Sequence, residues 1–204
     1  REGIGQDHQV HQFGGPQGFH ELMALDNGEH TYTPMGLNRG LRDGLPKELA
    51  PVWKTAAGGG FSGPVVAGRT LVYLDENGSR EIAHALDAAT GRELWQFDYA
   101  DMFRDEWGAG PRATPIVEGD RVYVQSCSGE FRCLSLKDGK VIWGASYEKD
   151  FGVKFLGSKA NDGAATRRGN NGSGVIDGSR IILPVGATKG ASLVCFDKLT
   201  GKML

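Results

Sequence analysis

The sequence lacks a dominant charge, a long apolar run and an abundance of cysteine. Its 23 Lys and Arg residues are balanced by 25 Asp and Glu residues, so no basic domain marks it for nucleic acid. No apolar run of about 18 residues occurs, and we predict no membrane span. The first residues, REGIGQDHQVHQF, contain no apolar segment, so a secretory signal is absent or has been removed. The cysteines Cys127, Cys133 and Cys195 are expected to be small, mostly buried residues.

Glycine is abundant instead, and it recurs in a repeated phrase. The chain holds 32 glycines, about 16% against a usual value of about 7%. LDAATGRELW at 86–95 returns as LSLKDGKVIW at 134–143 and as FDKLTGKML at 196–204. Each copy predicts a strand, a tight turn and a second strand, with glycine at one fixed place where a positive φ is needed. These glycines are Gly91, Gly139 and Gly201. Two copies close on Trp95 and Trp143, and the third stops one residue before a tryptophan is expected.

A second element precedes each phrase and completes a repeating unit. PVVAGRTLVY, PIVEGDRVYV and GVIDGSRIIL each place a glycine between two apolar strands, at Gly68, Gly119 and Gly178. Short antiparallel strands repeating at about 40 to 50 residues are typical of β-propeller blades. We therefore predict an all-β propeller of four-stranded blades at about 52–100, 110–148 and 172–204, after a mostly irregular lead-in at 1–51. Trp95 and Trp143 are expected to pack between adjacent blades.

Three fragments resemble ligand motifs without completing them. His20-Glu21 begins like a zinc-protease helix, but Ala24 stands where the second histidine is required. Gly58, Gly60 and Gly63 have dinucleotide-binding spacing, but a strand pattern follows them rather than a helix. The stretch from Asp75 resembles a calcium loop with its glycine misplaced. No metal site and no catalytic residue are predicted.

The repeated phrase resembles the tryptophan-docking motif, A-x-D-x-x-T-G-K-x-x-W, of the pyrroloquinoline quinone (PQQ)-like β-propeller repeat family. The first copy matches at Ala85, Asp87, Thr90, Gly91, Arg92 and Trp95. The second keeps Gly139, Lys140 and Trp143, with Ser135 for the aspartate and Asp138 for the threonine. The third keeps Asp197, Thr200, Gly201 and Lys202. The resemblance implies a bacterial secreted, periplasmic protein of the quinoprotein alcohol dehydrogenase-like superfamily, and an N-terminal fragment with about three of seven or eight blades.

The family includes both enzymes and interaction proteins. A dehydrogenase would need PQQ, a calcium ion, an aspartate base and, in the alcohol dehydrogenases, two adjacent cysteines. No two cysteines are adjacent here, and no calcium ligands can be assigned. We therefore expect a non-catalytic scaffold without a cofactor that binds a protein or a small anionic ligand. The alternative is a PQQ- and calcium-dependent dehydrogenase that oxidises an alcohol or sugar.

The variable segments between units are the predicted binding surface. Residues 101–113 and 144–173 precede the innermost strands and should lie at one mouth of the channel. Their side chains suggest a polar, cationic funnel able to hold an anionic group, with a tryptophan for stacking. The candidate residues are Trp107, Arg112, Arg167, Arg168, Asn170 and Asn171. The open alternative is a set of solvated loop residues in which Arg112 pairs with a local acid such as Asp105.

Overall fold

A computed structural model describes residues 50–157, 168–187 and 190–204, together with the backbone of 8–13 and 20–26. Within these ranges the chain is almost entirely β-structure, which confirms the predicted all-β propeller fold. The single α-helix of the described part, α1, is the five-residue segment Tyr147–Phe151. No helix in that part is long and apolar enough to span a membrane.

Two complete blades and one three-stranded blade follow each other along the chain. The first contains β4 (Val65–Ala67), β5 (Thr70–Glu76), β6 (Glu81–Asp87) and β7 (Glu93–Asp98), paired antiparallel in chain order. The second contains β10 (Ile116–Glu118), β11 (Arg121–Gln125), β12 (Glu130–Ser135) and β13 (Val141–Ser146), paired in the same way. The third contains β14 (Val175–Asp177), β15 (Arg180–Pro184) and β16 (Leu193–Asp197). A bridge from Phe196 to Met203 begins its outer edge.

A further sheet precedes the first blade, in a region that we expected to be mostly irregular. It consists of β1 (His8–Phe13), β2 (His20–Asp26) and β3 (Pro51–Ala57), in the order β1-β2-β3. Strand β3, which the sequence reading included in the first blade, pairs with β2. The physical reason is that the glycine turns at 68, 78 and 91 already join four strands, so that blade is complete without β3. His20 and Glu21 lie on β2, not on a helix.

The glycines of the repeat occupy the left-handed region. The turn between the first two strands of each blade has φ of 57°, 59° and 56° at Gly68, Gly119 and Gly178. The glycine of the repeated phrase has φ of 70°, 69° and 72° at Gly91, Gly139 and Gly201. Side chains with a Cβ rarely adopt this conformation, so the recurrence of glycine at these positions of the repeat has a backbone cause.

Three tryptophans, Trp53, Trp95 and Trp143, each pack on the phrase glycine of the following unit. A Cβ atom built on Gly91 would lie 2.6 Å from the Trp53 ring, one on Gly139 would lie 2.7 Å from Trp95, and one on Gly201 would lie 2.6 Å from Trp143. The indole N–H groups of these tryptophans donate to the carbonyl oxygens of Ala88, Leu136 and Lys198, at 2.9, 2.8 and 3.0 Å. Trp95 and Trp143, the two tryptophans for which we expect such packing, therefore lie between adjacent blades, and Trp53 lies in the same way between its sheet and the first blade.

The second copy of the phrase has Ser135 and Asp138 where the motif has aspartate and threonine, and these two residues still interact across the turn. In the first and third copies the Asp87 and Asp197 carboxylates accept from the hydroxyl groups of Thr90 and Thr200, at 3.0 and 2.8 Å. In the second copy the hydroxyl belongs to Ser135 and the carboxylate to Asp138, and the Ser135 hydroxyl, together with Lys140, lowers the pKa of Asp138 to about 2. The two residue types have exchanged places, while a hydroxyl group still interacts with a carboxylate across the turn.

The apolar core of the described chain lies between the sheets. One cluster joins Val72, Leu74 and Ala83 of the first blade to Val122 and Val124 of the second. A larger cluster joins the second blade to the third through rings such as Trp143 and Phe196, whose centroids are 5.7 Å apart. Each blade is stabilised mainly by its neighbours, as repeat architectures require.

Candidate functional site

A buried ion pair organises the segment between the first and second blades. Strands β8 (Arg104–Asp105) and β9 (Gly108–Ala109) form a short hairpin there. The Asp105 side chain is fully buried, and both of its oxygens accept from the Arg112 guanidinium, at 2.9 and 2.7 Å. Burial opposes the charge of both groups, but the paired hydrogen bonds and opposite charges prevail, so the pKa of Asp105 is lowered and that of Arg112 is raised.

Arg112 also holds the surrounding loops together. Its guanidinium carbon lies 5.2 Å from the centroid of the Phe61 ring and 5.3 Å from that of Phe103. Its Nη1 donates to the backbone carbonyl of Arg168 at 2.9 Å, while its buried Nε has no hydrogen-bond partner among the described residues. Arg112 therefore pairs with Asp105, the local acid that the open alternative names, but it is enclosed by this pair and two aromatic rings rather than solvated.

Trp107 and Arg168 lie above this ion pair at the surface. Trp107 is 71% exposed, and its backbone N–H donates to the buried Asp105 carboxylate at 2.9 Å. The Arg168 guanidinium carbon lies 5.8 Å from the centroid of the Trp107 ring. Arg168 also forms an ion pair with Glu106 and approaches Asp105 to 3.9 Å. The hairpin therefore presents an exposed indole. The backbone of this residue is held by the buried Asp105 carboxylate, and its ring lies beside the Arg168 guanidinium.

The asparagines of the predicted funnel have different environments. Asn170 is buried, and its amide donates to the Pro184 carbonyl at 3.0 Å, so it connects the loop to the third blade. Asn171 is exposed. Arg167, the remaining candidate, lies outside the described residues. The structure thus brings together Trp107, Arg112 and Arg168, with Asn170 in a structural position.

Sequence reasoning missed Phe61, which is 58% exposed and borders the same surface. A Cβ atom on Gly108 would lie 3.2 Å from the Phe61 ring, so the absence of a side chain at Gly108 lets the ring approach the hairpin. A single phenylalanine within GGGFSG was the available signal. We call the surface formed by Phe61, Glu106, Trp107 and Arg168 the Trp107 platform.

A buried carboxyl group lies beneath the platform and was also missed. Glu81, at the start of β6, is fully buried. Its oxygens accept from the backbone N–H groups of Cys127 at 2.8 Å and Phe103 at 3.2 Å. Burial raises the pKa of Glu81 to about 7, and Asp101 acts in the same direction, while the two N–H groups and Arg112 limit the rise. Glu81 thus joins the first blade to Phe103, in the segment that leads to the Trp107 hairpin, and to Cys127 of the second blade.

A second ionisable cluster lies on the other face of the first blade. His84 contacts Asp75 through Nε2 at 3.0 Å and Glu93 through Nδ1 at 2.8 Å. Burial opposes its protonation, yet the hydrogen bonds to two carboxylates raise the pKa of His84. A neutral imidazole has only one N–H, so this arrangement fits the imidazolium form. With both nitrogens engaged, the cluster serves to hold strands β5, β6 and β7 together.

The described residues contain no metal-binding cluster. No group of three or more His, Cys, Asp or Glu side chains among them is arranged to hold a metal ion. All three cysteines are free; burial raises the pKa of the Cys133 thiol to about 11 and that of Cys127 further above its ordinary value. Neither buried thiol is a ready nucleophile. What the described site offers is a fixed surface of aromatic and charged groups.

Comparisons with known proteins agree on the fold. The family model described as "Outer membrane protein assembly factor BamB" matches residues 50–202. The chain is similar to BamB from Moraxella catarrhalis, at 16% identity and a TM-score of 0.54, over 90% of this chain and 45% of that one. It is also similar to a europium-containing methanol dehydrogenase, at 16% identity and a TM-score of 0.58, over 98% of this chain and 39% of that one. The chain therefore spans less than half the length of either protein. No curated protein sequence matches it.

Proposed function

Since this chain belongs to the PQQ-like β-propeller family whose model is described as outer membrane protein assembly factor BamB, we propose that it is part of a non-catalytic interaction scaffold. The proposed location is extracytoplasmic, because that description names assembly at the outer membrane. The proposed partner is a protein rather than a nucleic acid, in keeping with a net charge of −2 and no basic domain.

The Trp107 platform is the observation that carries this proposal. Interface residues that dominate binding energy are enriched in tryptophan and arginine. Trp107 is 71% exposed, yet its backbone is fixed by Asp105 and its ring lies beside Arg168. A side chain that is already ordered loses little conformational entropy on binding. The platform therefore suits a partner with an apolar group for the indole and a carboxylate for the guanidinium.

The test compares platform variants with a matched arginine variant in the full-length protein. Trp107→Ala should weaken partner binding by about 2 kcal/mol, or roughly 30-fold, and Arg168→Ala should weaken it less. Arg69→Ala is the control, because Arg69 is an exposed, ion-paired arginine just before β5, whereas the segment after the Trp107 hairpin meets that strand at Glu76, its other end, about 20 Å away. Partners are first captured on the wild-type protein and identified. The affinity of the wild type and of each variant for each identified partner is then measured by titration.

The outcomes separate the two kinds of partner. A small anionic ligand would depend on Arg168 and not on Trp107, whereas a protein partner would depend on both. If the Trp107 and Arg168 double variant keeps every partner at wild-type affinity, the platform is not the binding surface.

The second candidate function is a PQQ-dependent dehydrogenase, which the fold likeness to methanol dehydrogenase favours. It is tested by adding PQQ and calcium to the full-length protein and measuring quinone absorbance and dye reduction with alcohols and sugars. We expect neither signal. Bound quinone together with dye reduction would overturn the scaffold proposal.

A further inference from the structure

The exposed loop between the second and third blades contains an asparagine followed by glycine. Such pairs are prone to spontaneous deamidation, because the glycine backbone nitrogen reaches the asparagine side-chain amide without obstruction from a side chain. The sequence has three such pairs, at 27–28, 77–78 and 171–172. The first lies outside the described residues, and the other two differ sharply in their hydrogen bonds.

The pair Asn77-Gly78 is restrained by its own turn. The Asn77 side-chain oxygen accepts from Ser79 N, Ser79 Oγ and Arg80 N, at 3.2, 3.1 and 3.0 Å. The Gly78 N–H donates to the Glu76 carboxylate. A negatively charged acceptor holds the proton that must leave before this nitrogen can attack, so the reaction at Asn77 is opposed.

The pair Asn171-Gly172 has weaker restraints. The Asn171 side chain is exposed, and no described residue donates to its amide oxygen. The Gly172 N–H donates to a neutral acceptor, the Asn170 side-chain oxygen, at 3.2 Å. A Cβ atom on Gly172 would lie 2.5 Å from Pro184 Cγ, so packing requires glycine at this position. Packing therefore requires the glycine of this pair, and the exposed Asn171 side chain holds Cγ, the carbon that is attacked.

We propose that Asn171 is a site of spontaneous deamidation in the folded protein. The Gly172 nitrogen loses its proton and attacks Asn171 Cγ, a C–N bond forms, and the side-chain nitrogen leaves as ammonia, which gives a cyclic succinimide. Water then adds to either carbonyl of this ring and breaks one C–N bond. The products are aspartate, with the original backbone, and isoaspartate, in which the main chain runs through Cβ. No oxidant, reductant or enzyme is required.

The isoaspartate product would disturb residues 170–173, which are hydrogen-bonded to both the second and the third blade. Asn170 is held by its backbone N–H to the Cys127 carbonyl at 2.8 Å and by its side chain to Pro184. Ser173 Oγ accepts from Thr114 N at 3.0 Å and donates to Thr114 O at 3.2 Å. Because isoaspartate adds a main-chain atom between these two anchors, both sets of bonds cannot be kept. Deamidation would therefore loosen the connection between the second and third blades with time.

The experiment follows both asparagines in one sample. The full-length protein is incubated in mildly alkaline buffer, digested at intervals and analysed by mass spectrometry, with isoaspartate detected by enzymatic methylation. We expect the Asn171 peptide to deamidate several-fold faster than the Asn77 peptide. In strong denaturant, where the turns are lost, the two rates should become similar. Asn171→Gln is the matched variant, since its longer side chain cyclises slowly.

Two results would overturn the proposal. One is an Asn171 rate equal to or below the Asn77 rate in the folded protein. The other is a ratio between the two rates that denaturant leaves unchanged, because the difference would then come from local sequence. The loosening is measured separately: aged wild-type protein should have a lower unfolding midpoint than fresh protein, and the Asn171→Gln variant should not change on ageing.

Discussion

Replacing the buried Glu81 by glutamine should change how stability depends on pH. Glu81 is fully buried and bonded to the N–H groups of Cys127 and Phe103, and burial raises its pKa from 4.5 to about 7. A carboxyl group whose pKa is higher when folded binds its proton more tightly in the folded state. Its stabilising effect is therefore complete below about pH 4.5 and is lost as the pH rises through about 7.

The size of this loss follows from the two pKa values. A rise from 4.5 to about 7 corresponds to about 3 kcal/mol of unfolding free energy. Other groups titrate nearby, including His84, whose raised pKa has the same sign of effect, and Asp105, whose lowered pKa matters at more acidic pH. These groups are shared with the variant, so the difference between wild type and Glu81→Gln isolates Glu81.

The assay is urea unfolding of both proteins at a series of values between about pH 5 and about pH 8. Wild type should lose about 2 to 3 kcal/mol relative to Glu81→Gln as the pH rises across this interval, and the difference should level off above it. Glutamine can accept from only one of the two N–H groups, which lowers stability equally at every pH and does not affect the slope. A difference that stays constant over the whole interval would refute the reasoning.

Two further substitutions test the repeat and the platform by urea unfolding. Gly139→Ala should cost about 3 kcal/mol and Gly119→Ala about 1 kcal/mol, because both have positive φ but only a Cβ on Gly139 would meet a tryptophan ring; equal losses would show that the ring contact is unimportant. Arg112→Lys should cost about 2 kcal/mol, because a lysine cannot form the two parallel bonds to the buried Asp105 carboxylate. The exposed Arg69→Lys should change nothing measurable, and a similar loss in both variants would contradict the importance of the buried pair.

The fold could be predicted because the repeated phrase records local requirements. Gly91 and its equivalents need a positive φ, and Trp95 needs a flat, side-chain-free surface, which each copy supplies to the copy before it. Even the exchange of Ser135 and Asp138 leaves a hydroxyl group interacting with a carboxylate across the turn. These requirements act within one unit or between adjacent units, so comparison of the copies reveals them.

The site could be predicted only in part, because its chemistry depends on burial by distant segments. The sequence places Arg112 near Asp105 but does not show that Phe61 covers it or that a carbonyl 56 residues later accepts a further hydrogen bond from it. Glu81 gives no signal at all, since the N–H groups that it binds belong to residues 22 and 46 positions later. The sequence also places residues 52–57 within the range of the first blade, whereas β3 pairs with β2, a partner that is selected by tertiary pairing.

The tryptophan contacts between blades also impose a direction on folding. Each indole donates to a carbonyl that lies later in the chain, by 35, 41 and 55 residues for Trp53, Trp95 and Trp143. During synthesis from the N-terminus, a blade leaves the ribosome before the turn that will cover its tryptophan exists. The contact that covers each of these three indoles therefore forms only after the following blade is present, and until then the indole is exposed to misplaced partners.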